Sequence, residues 1–399
     1  MVQKQRLGKK NERITYINFS GLIIGINARN ILGSKMEGFG NYSYELVRRI
    51  TEKHPEQTFV LFFDRAVDSK FEFSSNVQKV VLFPPTRHPL LWILWFEWSL
   101  KKAIKKHQIE VFWTPDGFCS LRSSIPQIAT VHDLNFEHYP KDLPFLVSKY
   151  FRFYFPKFAR KANHIITVSH YSKDDIVHTY GIPEKKVSVI YNGISEAFRV
   201  LSPEEINETR KVYSNNKPYF LFVGSLHPRK NIHRLVEAFV AFCDKNKDID
   251  LIIVGNAMWK QAVFPLTDEA KKRVHFLGHL TTQELSRVTG SAFSLSYIPY
   301  FEGFGIPLVE AMRCGIPIIS ADASCLPEIA GDAAIYCDPF SIEEITAQMI
   351  RLAADKKLHQ TLSENALKRS SNYSWDEAAG QIWQLISSLK NEQSITYHQ

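Results

Sequence analysis

Short apolar runs recur along this chain of 399 residues, and segments with helical periodicity separate most of them. The runs are nearly continuous in apolar residues, which is typical of parallel strands covered on both faces of a sheet. They lie at Leu22–Ile26, Thr58–Phe63, Lys79–Phe83, Val111–Trp113, Gln127–His132, Ile165–Ser169, Val187–Tyr191, Tyr219–Gly224, Asp250–Gly255, Val274–Leu277, Phe293–Tyr297, Ile316–Ser320 and Ala334–Cys337. The pattern predicts an α/β fold with two doubly wound parallel sheets.

A polar, charged stretch between Asn192 and Pro218 separates the two sets of runs. We therefore predict a first domain over residues 1–200 and a second over residues 201–374. Ligands of open parallel sheets bind beyond the carboxyl ends of the strands. Two such domains that face each other place the functional site in the cleft between them.

Two glutamates flank a glycine turn in the second half of the chain, Glu302 before it and Glu310 after it. Gly303 and Gly305 allow main-chain N–H groups to come close to a ligand. Pro307 suits the first position of a helix, and Glu310 then falls in the first turn of that helix. Free N–H groups at a helix start favour an anion such as a phosphate. Taken singly, each of these residues is more often structural.

The combination E-G-F-G-x-P-x-x-E-A-M resembles the signature of the retaining nucleotide-sugar glycosyltransferases of family GT4, whose two glutamates stand eight positions apart. The resemblance implies the GT-B architecture of two Rossmann-like domains facing across a cleft, with a C-terminal helix, 375–399, crossing back onto the first domain. It also implies that Glu302 positions the sugar and that Glu310 binds the ribose. Further donor contacts are implied for Gly303, Phe304, Gly305 and Ile306.

Two cations, Arg229 and Lys230, follow the first strand of the second half and precede an amphipathic helix. A cation at a helix start opposes the helix dipole by several tenths of a kcal/mol, about the amount that an anion would recover. The alternative is two solvated surface charges. The GT4 resemblance implies that the pair binds the diphosphate of the donor, which predicts a site that requires no metal and no cofactor.

Further candidates lie in the first domain and in one loop of the second. His132 follows a predicted strand, and such a histidine is often only structural; the resemblance implies that it faces the transferred sugar and positions it. Gly38 and Gly40 precede a helix expected around residues 44–50, and the resemblance implies that their backbone approaches the donor phosphates. Leu280, after the third predicted strand of the second half, is expected near the donor base.

Composition narrows the class of protein. Hydrophobic residues make up 45% and charged residues 23% of the chain, as in folded globular proteins. The net charge of +8 permits nucleic acid, an anionic membrane or a phosphorylated substrate as partner. Five cysteines without C-x-x-C spacing are expected to be buried thiols in a reducing compartment. Neither a signal peptide nor a membrane-spanning run is evident, so we expect a cytoplasmic protein.

Residues 89–106 read P-L-L-W-I-L-W-F-E-W-S-L-K-K-A-I-K-K, a very aromatic helix with a basic end. This segment could lie in a membrane interface at the inner face of the cytoplasmic membrane, or pack as a core helix against the first sheet. The membrane alternative makes a lipid-linked saccharide a plausible acceptor.

Three functions of different classes are compatible with these observations. The leading hypothesis is a retaining glycosyltransferase that moves a hexose, with mannose as one candidate, from a UDP- or GDP-sugar to a saccharide or lipid-linked acceptor in cell-surface glycan synthesis. The second is a nucleotide-sugar epimerase on the same two-domain plan. The third is a basic membrane- or nucleic-acid-binding protein without catalysis, although the cations are scattered rather than gathered in one stripe. The leading hypothesis predicts no nucleic-acid partner.

Overall fold

The computed structural model describes residues 21–31, 38–255 and 266–396. Within them the chain forms two parallel sheets, and the first has the order β3-β2-β1-β4-β5-β6-β7. Its strands are β1 Ile23–Asn27, β2 Thr58–Phe63, β3 Val77–Val81, β4 Val111–Thr114, β5 Gln127–Thr130, β6 His164–Thr167 and β7 Val187–Val189. The helices around it are α1 Gly38–Lys53, α2 Pro89–Leu94, α3 Lys101–Lys106, α4 Asn135–His138, α5 Phe145–Lys161 and α6 His170–Tyr180.

The second sheet has the order β10-β9-β8-β11-β12-β13 and is also parallel throughout. Its strands are β8 Tyr219–Val223, β9 Asp250–Val254, β10 Val274–Gly278, β11 Ser294–Tyr297, β12 Ile318–Ala321 and β13 Ala334–Cys337. The remaining helices are α7 Pro203–Tyr213, α8 Ile232–Cys243, α9 Asp268–Lys271, α10 Thr282–Gly290, α11 Ile306–Arg313, α12 Leu326–Ala330, α13 Ile342–Ala354, α14 Lys356–Ser370 and α15 Trp375–Thr396. The predicted fold class of two doubly wound parallel-sheet domains is confirmed.

Each apolar run of the sequence corresponds to one of these strands, because burial on both faces leaves little room for polar side chains. β3 differs most from its prediction: it starts two residues earlier and ends at Val81, and Phe83 beyond it is 80% exposed. An edge strand is covered less completely, so the apolar residues after it can leave the sheet. All five cysteines are buried and free.

The last strand of the first sheet ends at Val189 and the first strand of the second begins at Tyr219. The predicted division at residue 200 lies between them. After the second domain, α15 packs against α1 of the first domain. Lys53 Nζ lies 2.6 Å from Asp376 Oδ1, and the His54 ring stacks on Trp383 with 3.8 Å between centroids. The C-terminal helix therefore contacts the first domain, and residues 397–399 lie outside the described part.

In both sheets the strand order reverses beside the first strand, between β1 and β4 in one and between β8 and β11 in the other. Crevices at such reversals are the usual ligand sites of open parallel sheets. The cation pair follows β8 and the glycine turn follows β11, so the two segments leave the second sheet from neighbouring strands. The fold thus brings together residues that are more than 70 positions apart in the sequence.

Candidate active site

The glycine turn lies where the two domains meet. Gly305 has φ 88° and ψ 61° and stands directly before α11, a conformation that disfavours any residue with a Cβ. Gly303 faces the first domain, and a Cβ built on it would lie 2.3 Å from the backbone oxygen of His132. Glycine at 303 therefore permits the close approach of the two domains.

Glu302 is buried and forms ion pairs with both predicted donor-binding cations. Its Oε1 lies 3.1 Å from an Nη of Arg229 and in direct contact with Nζ of Lys230. Pairing with Glu302 was not among the alternatives predicted for Arg229 and Lys230, which were binding of an anion or solvation at the surface. With two cations and one carboxylate, the cluster keeps a formal excess of one positive charge.

The cations occupy a short 3-10 turn, Pro228–Lys230, that continues into α8 through Asn231 in the left-handed conformation at φ 59°. The Asn231 amide donates to the carbonyl oxygens of Ile298 at 3.0 Å and Pro339 at 2.6 Å. Asn231 thereby ties the cation turn to the loop that leads into the glycine turn. The bond to Ile298 holds the cations near Glu302.

Burial and charge act in opposite directions within this cluster. Burial alone would raise the pKa of Glu302, but the neighbouring Arg229 and Lys230 outweigh it and lower that pKa, so the carboxylate is ionised. The pKa of Lys230 is lowered by burial, and Glu302 offsets only part of the effect. Burial also acts to lower the pKa of Arg229, yet the attraction of Glu302 raises it above the ordinary value. The site is a buried, charged and hydrogen-bonded cluster, which is typical of functional sites.

Glu310 lies on α11 and is partly exposed. The helix begins at Ile306, so Glu310 is its fifth residue and not part of the first turn, and Pro307 is its second residue. Both placements correct the sequence analysis by one position, because Gly305 already caps the helix. Among the described residues the Glu310 side chain has no hydrogen-bond or ion-pair partner, and burial raises its pKa to about 8.

His132 lies just beyond β5, at the carboxyl end of the first sheet. Its Nε2 is 2.8 Å from the carbonyl oxygen of Pro115, and its ring meets Phe39 and Tyr42 edge-on, with 4.7 and 4.6 Å between centroids. A carbonyl oxygen only accepts, so Nε2 carries the proton and Nδ1 keeps a lone pair. Burial lowers the pKa of His132, which favours this neutral form.

The structure places Gly38 and Gly40 differently from the sequence analysis. Both lie inside α1, which begins at Gly38, rather than in a loop before a helix that starts near Tyr44. Gly38 is exposed and an added Cβ would meet no atom within 4 Å, whereas Gly40 is buried. Phe39, between them, contacts the ring of His132, so this end of α1 adjoins the site. The preceding residues, 32–37, lie outside the described part of the chain.

The remaining predicted donor contacts are divided between core and surface. The Phe304 ring is buried against Tyr191 and Tyr373, so only its backbone could reach a ligand. Ile306, the first residue of α11, is half-buried. Leu280 follows β10 and packs partly against the core. The structure brings Leu280 to the carboxyl edge of the sheet but shows no contact between it and the charged cluster.

Contacts between the domains surround the site, and the sequence analysis missed them. Asp142 of the first domain accepts a hydrogen bond from the Tyr300 hydroxyl at 2.8 Å, and its backbone oxygen accepts one from His227 Nε2 at 3.1 Å. Glu328 of α12 accepts the backbone N–H groups of His170 and Tyr171 at 2.8 and 3.0 Å. The sequence signals for these contacts were His227 before the cation pair and Tyr300 before Glu302, both of which can form hydrogen bonds.

Residues 89–106 form one continuous helical run with a π-helical stretch at its centre, Trp95–Leu100. One side, with Trp95, Phe96 and Leu100, is buried against the first sheet. The other side exposes Leu90, Leu94 and Trp98, and 60% of Trp98 is accessible. The core-packing alternative therefore holds for one side of the run, and the membrane alternative stays a prediction for the exposed side.

Comparison with known proteins assigns the chain to a family. The family model described as "Glycosyl transferases group 1" matches residues 204–369, and that described as "Glycosyltransferase Family 4" matches residues 36–198. The O-antigen chain mannosyltransferase RfbU of Salmonella typhimurium is 31% identical over 259 residues, which cover 63% of this chain and 67% of RfbU. The O-antigen chain mannosyltransferase B of Escherichia coli is 24% identical over 365 residues, covering 87% of this chain and 94% of that enzyme.

Solved structures share the fold over nearly the whole chain. The sucrose-phosphate synthase of Thermosynechococcus elongatus superposes with a TM-score of 0.74 at 17% identity, covering 93% of this chain and 100% of that one. Anabaena HepE, solved with UDP and glucose, superposes with a TM-score of 0.69 at 19% identity, covering 92% and 99%. Because both halves match models of one family and RfbU is similar over two thirds of its length, the chain belongs to glycosyltransferase family 4 and is a glycosyltransferase.

Proposed function

We propose that this enzyme transfers a mannosyl residue, with retention at the anomeric carbon, from a nucleoside-diphosphate sugar to a saccharide in cell-surface glycan synthesis. The mannose assignment is supported by the two relatives that carry the name of O-antigen mannosyltransferase. The observation that carries the donor class is the buried cluster of Arg229, Lys230 and Glu302, with its excess positive charge beside the glycine turn. The epimerase and non-catalytic alternatives find no support in these relatives.

The diphosphate of the donor competes with Glu302 for the two cations in this proposal. Arg229 and Lys230 then bind phosphate oxygens, and the released Glu302 carboxylate accepts a hydrogen bond from a hydroxyl of the sugar. Charge-assisted hydrogen bonds of this kind contribute about 1.5–3 kcal/mol each. The cations also stabilise the charge that develops on the leaving phosphate, the usual role of preorganised donors at a reaction site.

Glu310 and His132 complete the donor site in this proposal. Glu310 has no partner among the described residues, and its carboxyl group is assigned to the ribose hydroxyls. The lone pair on His132 Nδ1 accepts a hydrogen bond from a hydroxyl of the transferred sugar, since Nε2 is already engaged by Pro115. His132 is neutral and held by its neighbours, so it positions the sugar.

Transfer proceeds on one face of the sugar in this scheme. The bond between the anomeric carbon and the leaving phosphate oxygen breaks, and the acceptor oxygen forms its bond from the same side. The acceptor proton passes to the leaving phosphate, so atoms and charge balance without a base on the protein. We assign no covalent glycosyl-enzyme intermediate. Arg229 and Lys230 supply the positive charge, so we propose that no metal ion is required.

The acceptor side is proposed to contact a membrane. We define the docking face as Leu90, Leu94 and Trp98 of the 89–106 run together with Phe145, Leu146 and Phe153 of α5, all exposed. Leu90, Leu146 and Phe153 line one groove, which joins the two helices into a continuous face. Lysines 101, 102, 105, 106 and 149 border it, a composition that suits an anionic lipid surface. A lipid-linked saccharide is the matching acceptor.

No helix in the described ranges combines the length and the apolarity needed to cross a bilayer. We propose a peripheral contact, with apolar side chains and lysines at the lipid surface. The Glu97 side chain behind the face is buried and accepts the backbone N–H groups of Leu121 and Arg122 at 2.8 and 2.9 Å. These two hydrogen bonds anchor the 89–106 run to the first domain and so support its part of the docking face.

A donor screen tests the proposed function. The purified chain is incubated with UDP- and GDP-hexoses, with and without saccharide or lipid-linked acceptors, and nucleotide release and products are measured. We expect a mannose donor to be hydrolysed slowly alone and faster with an acceptor, and Glu302→Gln to lose both activities. Conversion of a nucleotide sugar into its epimer without transfer, or activity with glucose donors only, would overturn the proposal.

A further inference from the structure

Tyr297, the last residue of β11, contacts the charged cluster from within the sheet. Its side chain is fully buried, and its hydroxyl lies 2.7 Å from Nζ of Lys230. The same Nζ lies 5.2 Å from the centre of the Tyr297 ring. The Tyr297 hydroxyl therefore holds the Lys230 ammonium at the end of β11.

The direction of these hydrogen bonds follows from the groups involved. An ammonium only donates, so the Tyr297 oxygen accepts from Lys230 and the phenolic proton is left to donate. The Glu302 carboxylate contacts the same Nζ of Lys230, so it is the acceptor that we assign to the phenolic proton. In this assignment Tyr297 bridges the cation and the carboxylate, which also contact each other directly.

The charged and titratable neighbours leave Tyr297 neutral. Burial and the nearby Glu302 raise the pKa of Tyr297 well above its ordinary value. The thiol of Cys325, whose Sγ lies 3.2 Å from the Glu302 backbone oxygen, is also kept protonated because burial raises its pKa. Arg229 and Lys230 are the cations, and Glu302 and, at longer range, Asp133 are the anions. Tyr297 is the uncharged group that touches both sides of the pair.

We propose that the Tyr297 hydroxyl is a positioning group of the donor site, which holds Lys230 and Glu302 so that Lys230 can pass from the carboxylate to the donor diphosphate. When Lys230 turns to the phosphate, the Tyr297 hydroxyl keeps donating to Glu302, so the buried carboxylate is not left without a partner. An unsatisfied buried charge would otherwise oppose binding. This inference rests on the proposed donor site.

The test compares two buried tyrosines of the same sheet. Tyr297→Phe removes the bridging hydroxyl. The matched control, Tyr219→Phe, removes an equally buried hydroxyl that donates to the carbonyl oxygen of Val288 at 2.6 Å. Loss of a hydrogen bond to charged groups predicts a fall of about tenfold in kcat/KM for the donor in Tyr297→Phe. Tyr219→Phe should keep the wild-type value.

The pH profile of kcat/KM separates positioning from a merely structural role, because it reports the pKa values of the free enzyme. Without the phenol, Glu302 loses a donor and its pKa rises, while Lys230 loses an acceptor and its pKa falls. We expect the acidic limb to move to higher pH and the alkaline limb to lower pH. Pyrophosphate binding needs no turnover, and we expect the pH range of tight pyrophosphate binding to narrow in Tyr297→Phe and to stay at its wild-type width in Tyr219→Phe.

The role of Tyr297 would be overturned if the pH limbs of Tyr297→Phe coincided with those of wild type and Tyr219→Phe, in both kinetics and pyrophosphate binding. The proposed donor site is judged separately by Lys230→Ala. If Lys230→Ala keeps wild-type kinetics, the donor site itself is wrong; if it loses activity while Tyr297→Phe keeps unshifted limbs, only the present inference fails. Equal melting temperatures of the two tyrosine variants would show that their folding is matched.

Discussion

The backbone oxygen of His132 lies so close to Gly303 that a Cβ at position 303 would be 2.3 Å from it. His132 follows β5 of the first sheet, and Gly303 belongs to the turn after β11 of the second. The contact therefore sets how near His132, the residue proposed to position the sugar, comes to Glu302. Because Gly303 has no side chain, the two domains come closer here than any other residue at position 303 would allow.

Gly303→Ala should separate the two domains at this contact. Overpacking of this kind costs about 1–3 kcal/mol of the free energy of unfolding. Because the site residues also move apart, we expect the loss in kcat/KM, expressed as a free energy, to exceed that loss in stability. Steady-state kinetics and thermal unfolding measure the two effects. Gly380→Ala is the control: it adds a methyl group in the interior of α15 with nothing within 4 Å, so stability should rise by about 0.5–1 kcal/mol. Wild-type activity in Gly303→Ala would contradict the proposed contact.

Lys230→Ala should reduce turnover on the order of 100-fold, because an electrostatic contact to the leaving phosphate is lost. The measurement is kcat with saturating donor and acceptor. Lys217→Ala is the matched control, since Lys217 also pairs with a buried carboxylate of this domain, Asp250 at 3.3 Å, but before β8 rather than after it. Equal turnover in the two variants would exclude the assigned role of Lys230.

Glu310→Gln should alter the pH dependence of stability. The pKa of Glu310 is raised to about 8 by burial, so the folded protein retains a proton that the unfolded chain loses above about pH 4.5. The wild-type chain therefore loses stability as the pH rises from there to about 8. Glutamine resembles the neutral acid, so the variant should match wild type at acidic pH and be more stable above pH 8. Thermal unfolding across this pH range checks both halves of the expectation.

The same variant should raise the KM for the donor, because the carboxyl group assigned to the ribose hydroxyls is replaced by an amide. An increase of about threefold to tenfold corresponds to the loss of one hydrogen bond between neutral groups. An unchanged KM together with the stability change would place Glu310 in the protein's structure and not in the donor site.

Leu94→Glu combined with Trp98→Glu should weaken binding to anionic vesicles by at least tenfold, because apolar contact is replaced by charge repulsion at the docking face. Vesicle sedimentation measures the effect, and hydrolysis of a water-soluble donor should be unchanged. Val212→Glu on α7 of the second domain is the control, since Val212 is 72% exposed but lies outside that face. Equal vesicle binding by all proteins would count against the membrane contact.

Chelation with EDTA should leave transfer activity unchanged, since Arg229 and Lys230 are proposed to supply the charge that a metal ion supplies in other enzymes. Initial rates before and after chelation, with and without added Mg²⁺, give the answer. A loss of activity that Mg²⁺ restores would show that the two cations are insufficient.

Local patterns in the sequence were sufficient for the strands, the two sheets and the family, and they placed the start of α11 within one residue. Apolar runs report burial on both faces of a sheet, and a glycine turn before Ile306 reports backbone conformations that other residues disfavour. Both are properties of neighbouring residues, so one sequence carries them. Helix starts were predicted less well. α1 begins at Gly38 and not near Tyr44, although its first turn contains two glycines.

Only the tertiary structure decided how the site residues are paired. Glu302 and Lys230 are 72 positions apart, and no periodic pattern in the sequence predicts their ion pair or the Tyr297 hydroxyl beside it. The raised pKa of Glu310 likewise depends on what surrounds the helix and not on the residues within it. Short-range preferences fix the elements, whereas charge pairing and burial depend on which elements the fold brings together.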